Sequence, residues 1–343
     1  MSDFTNIEWC DATLNIWWGC TKVSDGCKFC YAEHLADHRH KKGNWGPTGT
    51  RREVKSWRST LEKISKRAKA ENRRLKVFCQ SMSDTFEGPE TMGGVGSENW
   101  MTVSLLRDQL LGAIGNYPHL DFLLLTKRPE NVLRCIAAYE TFIHEWVGNY
   151  DYQWSWPTNL WIGTSVEDQK TADERIPHLL TIPASVRFLS CEPLLGPVTL
   201  PFPTNREAHE EAAGMGIEPM FFRISGINPD ERTGNGIHWV IVGAESGPNA
   251  RPMNPDWARS LRNQCVAAGV AFFFKQWGEW MPSDHFRKYD KDCQRWSATD
   301  GLGCCITEAP GFTQIRDDMF RVGKKRAGRI LDGREWNEYP EGV

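Results

Sequence analysis

The chain has 343 residues, 40% of them hydrophobic and 25% charged, with a formal net charge of −3, a profile that suits a globular protein able to bury a sizeable core. No apolar run is long enough to span a bilayer, and the opening MSDFTNIEW lacks the basic-then-apolar pattern of an export signal. The expected setting is therefore a reducing cytoplasm without membrane partners, where eleven cysteines point to metal ligands and buried thiols and not to a disulfide framework.

In chain order, the first predicted strand is LNIWW (14–18). Directly after it, GCTKVSDGCKFCYAE places Cys20, Cys27 and Cys30 as C-x6-C-x2-C. A basic block follows: residues 38–76 hold 14 of the 41 Lys and Arg but 3 of the 44 Asp and Glu, leaving 27 basic against 41 acidic residues elsewhere. Such a block attracts a polyanion, and Trp45 and Trp57 inside it can stack on bases. LEKISKRAKAENRR within it also reads as the solvated face of a helix, and charge alone does not decide between the two.

From there apolar runs alternate with amphipathic segments. Strands are predicted at LKVFC (75–79), DFLLL (121–125), NLWIG (159–163), VRFLS (186–190), HWVIV (238–242) and VAFFF (270–274), and helices at 101–114, 129–142, 168–180 and 255–268. Continuous apolar runs are the mark of strands covered on both faces. The expected fold is α/β, a complete or partial parallel (β/α) barrel over residues 1–278. Residues 201–236, rich in Pro, Gly and charge, read as an insertion, and 279–343 as a C-terminal extension with too few apolar residues to stand alone.

Polar chemistry closes each run: Gln80, Ser81 and Asp84; Thr126, Lys127 and Arg128; Thr164, Ser165 and Glu167; Cys191 and Glu192; Glu245 and Ser246; Lys275 and Gln276. In a parallel barrel these ends meet on one rim, where active sites lie. Polar residues also simply mark where strands stop. The series across six strands is what favours a site.

Three closely spaced thiolates suit an iron–sulfur cluster and leave one iron of a four-iron cubane open for a substrate. The rival is a structural zinc, with Cys10 or His34 as fourth ligand. A zinc site normally shows a second C-x2-C-like pair or an H-x3–5-H pair, which this loop lacks.

The pattern C-x-aromatic-C, with Phe29 before Cys30, resembles the radical S-adenosylmethionine (SAM) superfamily, whose usual spacing is C-x3-C-x-aromatic-C; the first gap here has six residues. More closely, the chain is similar to a bacteriophage family with a three-cysteine motif. The likeness runs through IEWCDATLNIWWGCTKVSDGCKFCYAE, QSMSDTF, LLLTKRPENV, LWIGTSVEDQ, RFLSCEPLLGP, WVIVGAESGPNARPMN, FFFKQWGEW and AGRILDGREWNEYP, and is weakest at 201–236 and 281–322.

The resemblance implies a barrel of the radical SAM type, with a [4Fe–4S] cluster on Cys20, Cys27 and Cys30 and SAM lying across the strand ends. Ser81 and Asp84 would sit near the methionine end, Thr126 and Lys127 near the cofactor carboxylate, Ser165 and Glu167 at the ribose, and Glu192 by the adenosine. Their alternative roles are helix capping and mutual pairing, as between Lys127 and Glu192. Glu245, Arg251 and Lys275 would face the substrate, and Cys191 is either a hydrogen donor or a packing cysteine. The implied partners are DNA or a modified nucleotide and an electron donor. The implied reaction is an isomerisation of an amino-acid-substituted (glycinyl) thymidine in hypermodified phage DNA. A repair lyase like spore photoproduct lyase and a zinc-stabilised nucleic-acid-binding protein are the competing readings.

Overall fold

The computed structural model describes residues 5, 7–40, 43–202, 236–282 and 319–340. The expected insertion, apart from its ends, and residues 283–318 of the expected extension lie outside them. Seven parallel strands form one sheet in the order β1 (Ala12–Leu14), β4 (Leu75–Cys79), β5 (Leu120–Thr126), β6 (Leu160–Ser165), β7 (Val186–Cys191), β8 (Trp239–Gly243) and β9 (Ala271–Gln276). Spatial order follows chain order throughout this sheet, as expected when each strand returns through a crossover. Helices α3 (Glu98–Ile114), α4 (Val132–Phe142), α5 (Gln169–Leu180) and α6 (Pro255–Ala268) supply four of these crossovers. Among the described residues no helix is long and apolar enough to cross a membrane.

Local chemistry sets the helix ends. Asp168 accepts from Thr171 N while the Thr171 hydroxyl accepts from Asp168 N, a reciprocal cap on α5. Asn254 caps α6 with Pro255 in its first turn, and Gly269 ends it in a left-handed conformation.

The sheet buries different residues on its two faces. Val77, Cys79, Phe122, Leu124, Leu189 and Cys191 face the helix layer, whereas Phe78, Leu123, Trp161, Phe188, Trp239 and Phe273 fill the other face. The rings on this second face demand a curled sheet. Trp9 lies 4.6 Å from Phe78 on β4 and 6.1 Å from Trp239 on β8. Those strands are four positions apart, about 19 Å in a flat sheet. One indole reaches both because the sheet curls into a half-barrel around an aromatic interior.

The predicted strand LNIWW is two pieces. Ile16 N donates to Gln80 Oε1 at 2.7 Å instead of to a neighbouring strand, so the ladder breaks after β1. Trp17–Trp18 (β2) then pairs antiparallel with Arg52–Glu53 (β3) in a separate ribbon. The later part of the basic block contains α2 (Trp57–Glu71).

The described parts of the extension are built into the barrel. Asn337 bridges Phe273 antiparallel, and Phe274 N and Trp336 O, and Glu338 N and Phe272 O, bond at 3.0 and 3.2 Å. The tail thereby satisfies the free edge of β9. Trp239 Nε1 donates to Glu338 O, and the Tyr339 hydroxyl donates to Glu8 O, which ties the tail to the N-terminal segment.

One helix residue gives a pH prediction. Burial lifts the Asp108 carboxyl on α3 to about 6, against the pull of neighbouring Arg107. The folded state therefore holds the proton more tightly than the unfolded one, and stability falls as pH rises from about 4 to above 6. Asp108→Asn is expected to stabilise the protein by about 2 kcal/mol at pH 8, with the gap closing below about pH 4. Thermal melts at both pH values measure it; equal gains at both would contradict it.

Candidate active site

A cavity of about 210 Å³ opens at the C-terminal ends of the strands. Its wall takes residues from the ends of β4, β5, β6, β7, β8 and β9, and Cys20, Cys27 and Cys30 line the same space. The three cysteines are partly exposed and free of disulfides.

The loop that carries them has a forced geometry. Gly19 has φ +115°, and a Cβ there would stand 2.4 Å from Asn44 O. Cys20 then bridges Trp45, a 3-10 turn covers Asp25–Cys27, and α1 (Tyr31–His40) begins directly after Cys30. A Cβ on Gly26 would meet the Glu167 carboxylate at 2.4 Å, so the turn lies flat against the end of β6. Gly19→Ala is expected to cost about 2 kcal/mol or more and to lower metal uptake by the loop, as urea denaturation and iron content would show. Unchanged values of both would contradict this account.

Burial raises the Cys20 thiol well above its ordinary range; the Glu87 charge adds to this, and Arg128 opposes it. The Arg128 guanidinium is nearly buried, with Nη1 3.8 Å from Cys20 Sγ and 2.9 Å from Asp84 Oδ2. Burial also raises the Cys30 thiol, while the Glu33 and Ala32 amides at the start of α1 pull it down.

The residues at the strand ends are mostly paired with one another. Asp84 is a hub: its carboxylate accepts from Thr126 Oγ1 at 2.7 Å, Phe86 N at 3.0 Å, Lys127 N at 3.1 Å and Arg128 Nη1 at 2.9 Å. Ser81 lines the cavity and its Oγ accepts from Asn15 Nδ2 at 3.0 Å. Lys127 pairs with Glu167 on the adjacent strand end, and not with Glu192. Glu192 instead takes Lys275 Nζ at 2.7 and 2.8 Å and Gln276 Nε2 at 3.3 Å. Glu245 holds Arg251 through Nη2 at 2.7 Å and Nε at 2.9 Å. Ser165, Thr126, Lys127, Glu192, Glu245 and Lys275 all line the cavity.

Two expected site residues stand elsewhere. Cys191 is fully buried in the helix-facing core, and its neighbour Ser190 lines the cavity in its place. The alternation of a strand puts consecutive side chains on opposite faces, so Cys191 is a packing residue and not a rim thiol. Glu167 is 1% exposed and sits behind the wall, holding Ser24 Oγ at 2.8 Å, Arg175 Nη1 at 3.4 Å and Lys127. Burial alone would raise its carboxyl, but Lys127 and Arg175 beside it hold it below the usual range.

The basic block does not form one surface at the cavity. Trp57 is 2% exposed, its ring covered by Arg58, and is closed to a base. Arg51 is buried against Glu87. Arg73 pairs with Asp11, and Arg74 with Asp121 near the start of β5, at the end of the sheet opposite the cavity. Trp45, in contrast, is partly exposed and lines the cavity.

Ser24, Gly19 and Gly26 are not among the residues expected at the site from the sequence, whereas Gln80 is. Gln80 has φ +62°, lines the cavity, and keeps a buried Nε2 without a hydrogen-bond partner. The glycine before Cys20 and the one before Cys27 were the available signals.

Among the described residues no three Cys, His, Asp or Glu side chains stand at mutual metal-ligand geometry. The donor set nonetheless fits an iron–sulfur cluster: three free thiols from one loop, a buried cation beside the first, and an unpartnered amide donor in the same wall. The fit to a four-ligand zinc is poorer, because neither Cys10 nor His34 lines this cavity; His34 borders an adjoining hollow that Cys30 also lines.

The profile of a family described as "Protein of unknown function (DUF5131)" matches residues 4–340. No curated protein and no solved structure matches the chain.

Proposed function

The chain belongs to the DUF5131 family, and we propose that it is a radical SAM enzyme whose cluster is held by Cys20, Cys27 and Cys30. The observation that carries this reading is the meeting of three free thiols from one loop with six parallel strand ends in one cavity. A [4Fe–4S] cluster bound there would supply the electron that cleaves SAM to a 5′-deoxyadenosyl radical, a hydrogen abstractor that acid–base side chains cannot replace. An electron donor is the partner this chemistry needs.

The chain's own residues prepare the site. Arg128 offsets negative charge gathered by the thiolates near Cys20. Trp9, Phe78 and Leu125 make the inner wall apolar, which limits water around a reactive carbon radical. Lys275 and Glu192, bonded to each other in one wall, would offer an ammonium and a carboxylate by exchanging partners with a bound substrate. That pair complements the carboxylate and amine of an amino acid.

The substrate we propose is an amino-acid-substituted thymidine, of the glycinyl kind, in hypermodified DNA or as its nucleotide. The reaction is an isomerisation that moves a bond from the amino acid's nitrogen to its carbon, in the cytoplasm of a phage-infected host. The likeness to the phage three-cysteine family and the zwitterion-matched wall support it. The test is anaerobic treatment of modified phage DNA with reconstituted protein, followed by nucleoside analysis. A nucleoside of unchanged mass and new retention time is expected. SAM cleavage with every nucleoside unaltered would defeat the substrate assignment.

A further inference from the structure

The cysteine loop is gripped from three different strand ends, none of which needs a metal to make its contacts. From the end of β5, Arg128 Nη2 donates to Thr21 O at 2.7 Å. From beyond β6, Glu167 accepts from Ser24 Oγ at 2.8 Å, and its carboxylate fills the space that a Cβ on Gly26 would need. From beyond β8, Arg251 Nη2 donates to Asp25 O at 3.0 Å, and its guanidinium lies 5.2 Å from the Phe29 ring centroid.

Each grip is itself held. Arg128 is fixed by Asp84, Glu167 by Lys127 and Arg175, and Arg251 by both oxygens of Glu245. The loop also keeps its own turn, in which Cys27 N donates to Ser24 O at 2.9 Å and Lys28 N to Asp25 O at 3.0 Å. Asp25 O thus serves two donors, one from the loop and one from the barrel. Charge-assisted bonds of this sort resist local opening more than neutral ones.

We infer that Ser24, Glu167 and Arg251 are positioning residues that hold the cysteine loop folded against the strand ends before any iron arrives. This rests on the cluster reading of Cys20, Cys27 and Cys30, and it gives Glu167 and Arg251 a different task from contact with a cofactor or substrate. The loop would then be a preformed template, and cluster uptake would not have to meet the entropy of ordering eleven residues from Cys20 to Cys30.

Amide hydrogen exchange on the full-length, iron-free protein tests it. The Cys27 and Lys28 amides should exchange at least about tenfold more slowly than in an unstructured peptide. The double variant Ser24→Ala, Arg251→Ala should lose about tenfold of that protection relative to the amides of the sheet strands in the same variant. On reconstitution, Ser24→Ala should take up less iron and give a broadened or shifted electron paramagnetic resonance signal in the reduced state. Ser24→Thr, which keeps the hydroxyl, should restore both.

Rapid exchange of these amides in the iron-free parent would overturn the inference even if a cluster forms on reconstitution. So would parental protection and a parental spectrum in the double variant. Slow exchange in the parent, lost in the variant, would uphold the grip; failure of the parent to bind a cluster would then count against the enzyme reading alone.

Discussion

Cys27→Ala is expected to yield a folded protein that holds no complete cluster and releases no 5′-deoxyadenosine from SAM. Cys27 ends the 3-10 turn, lines the cavity, and its Sγ lies 3.8 Å from Ser24 Oγ. It is partly exposed and lies outside the core, so truncation should cost less than about 1 kcal/mol of stability. The loss is chemical: two remaining thiols cannot hold a cubane and leave only one iron open. The contrast is Cys79→Ala. Cys79 is fully buried in the helix-facing core, and its loss should cost about 1–2 kcal/mol while cluster and cleavage persist. Iron per chain, visible absorbance and product yield read both variants. A Cys27→Ala protein that retained cluster and cleavage would remove the ligand assignment.

The second large effect is on stability. Arg51 and Glu87 are 0% exposed at their side chains and joined at 2.6 and 2.8 Å. Arg51 also donates to Gly46 O, Gly49 O and Thr21 Oγ1 at 3.1, 2.6 and 2.8 Å. It therefore fastens the segment that pairs with the loop at Cys20, where Gly46 N donates to Cys20 O at 2.9 Å. Removing Glu87 leaves Arg51 charged and buried, and removing Arg51 leaves Glu87 buried with only Arg128 Nη2 at 3.8 Å as a cation, so either alanine variant should cost about 3–5 kcal/mol. Arg51→Met with Glu87→Leu should recover part of this, since the unpaired charge is gone. Full recovery is not expected, because the Gly46 and Gly49 carbonyls lose their donor. Urea denaturation gives both values. A single variant within about 1 kcal/mol of the parent would show that the pair does not organise this region.

Much of the frame was legible in the residue order. The runs at 75–79, 121–125, 159–163, 186–190, 238–242 and 270–274 became six of the seven strands of the sheet, because strands buried on both faces cannot afford charge in their middles. The cysteine spacing and the strand-end polar series converge on one cavity for the same reason: parallel strands place all their C-terminal ends on one side.

The same property hid other features. In VRFLSC both faces are buried, so apolar pattern alone does not distinguish Ser190, toward the cavity, from Cys191, toward the helices. The break in LNIWW depends on Gln80, 64 positions from Ile16, and no local signal announces it. The one pairing offered from the sequence, Lys127 with Glu192, is replaced by two that join neighbours in space: Lys127 meets Glu167 across adjacent strands, and Glu192 meets Lys275 across 83 positions. The basic block shows the limit of charge counting, since Arg51, Arg73 and Arg74 within it are committed to Glu87, Asp11 and Asp121.

The proposed role of Cys20, Cys27 and Cys30 is to hold a cluster that turns SAM into a radical source. Its most direct test is anaerobic reconstitution of the full-length protein with iron and sulfide, reduction with dithionite, and quantification of 5′-deoxyadenosine after addition of SAM. A brown protein with about four irons per chain is expected, with 5′-deoxyadenosine formed only when all three cysteines are present. A colourless protein that takes up zinc and leaves SAM intact would contradict it.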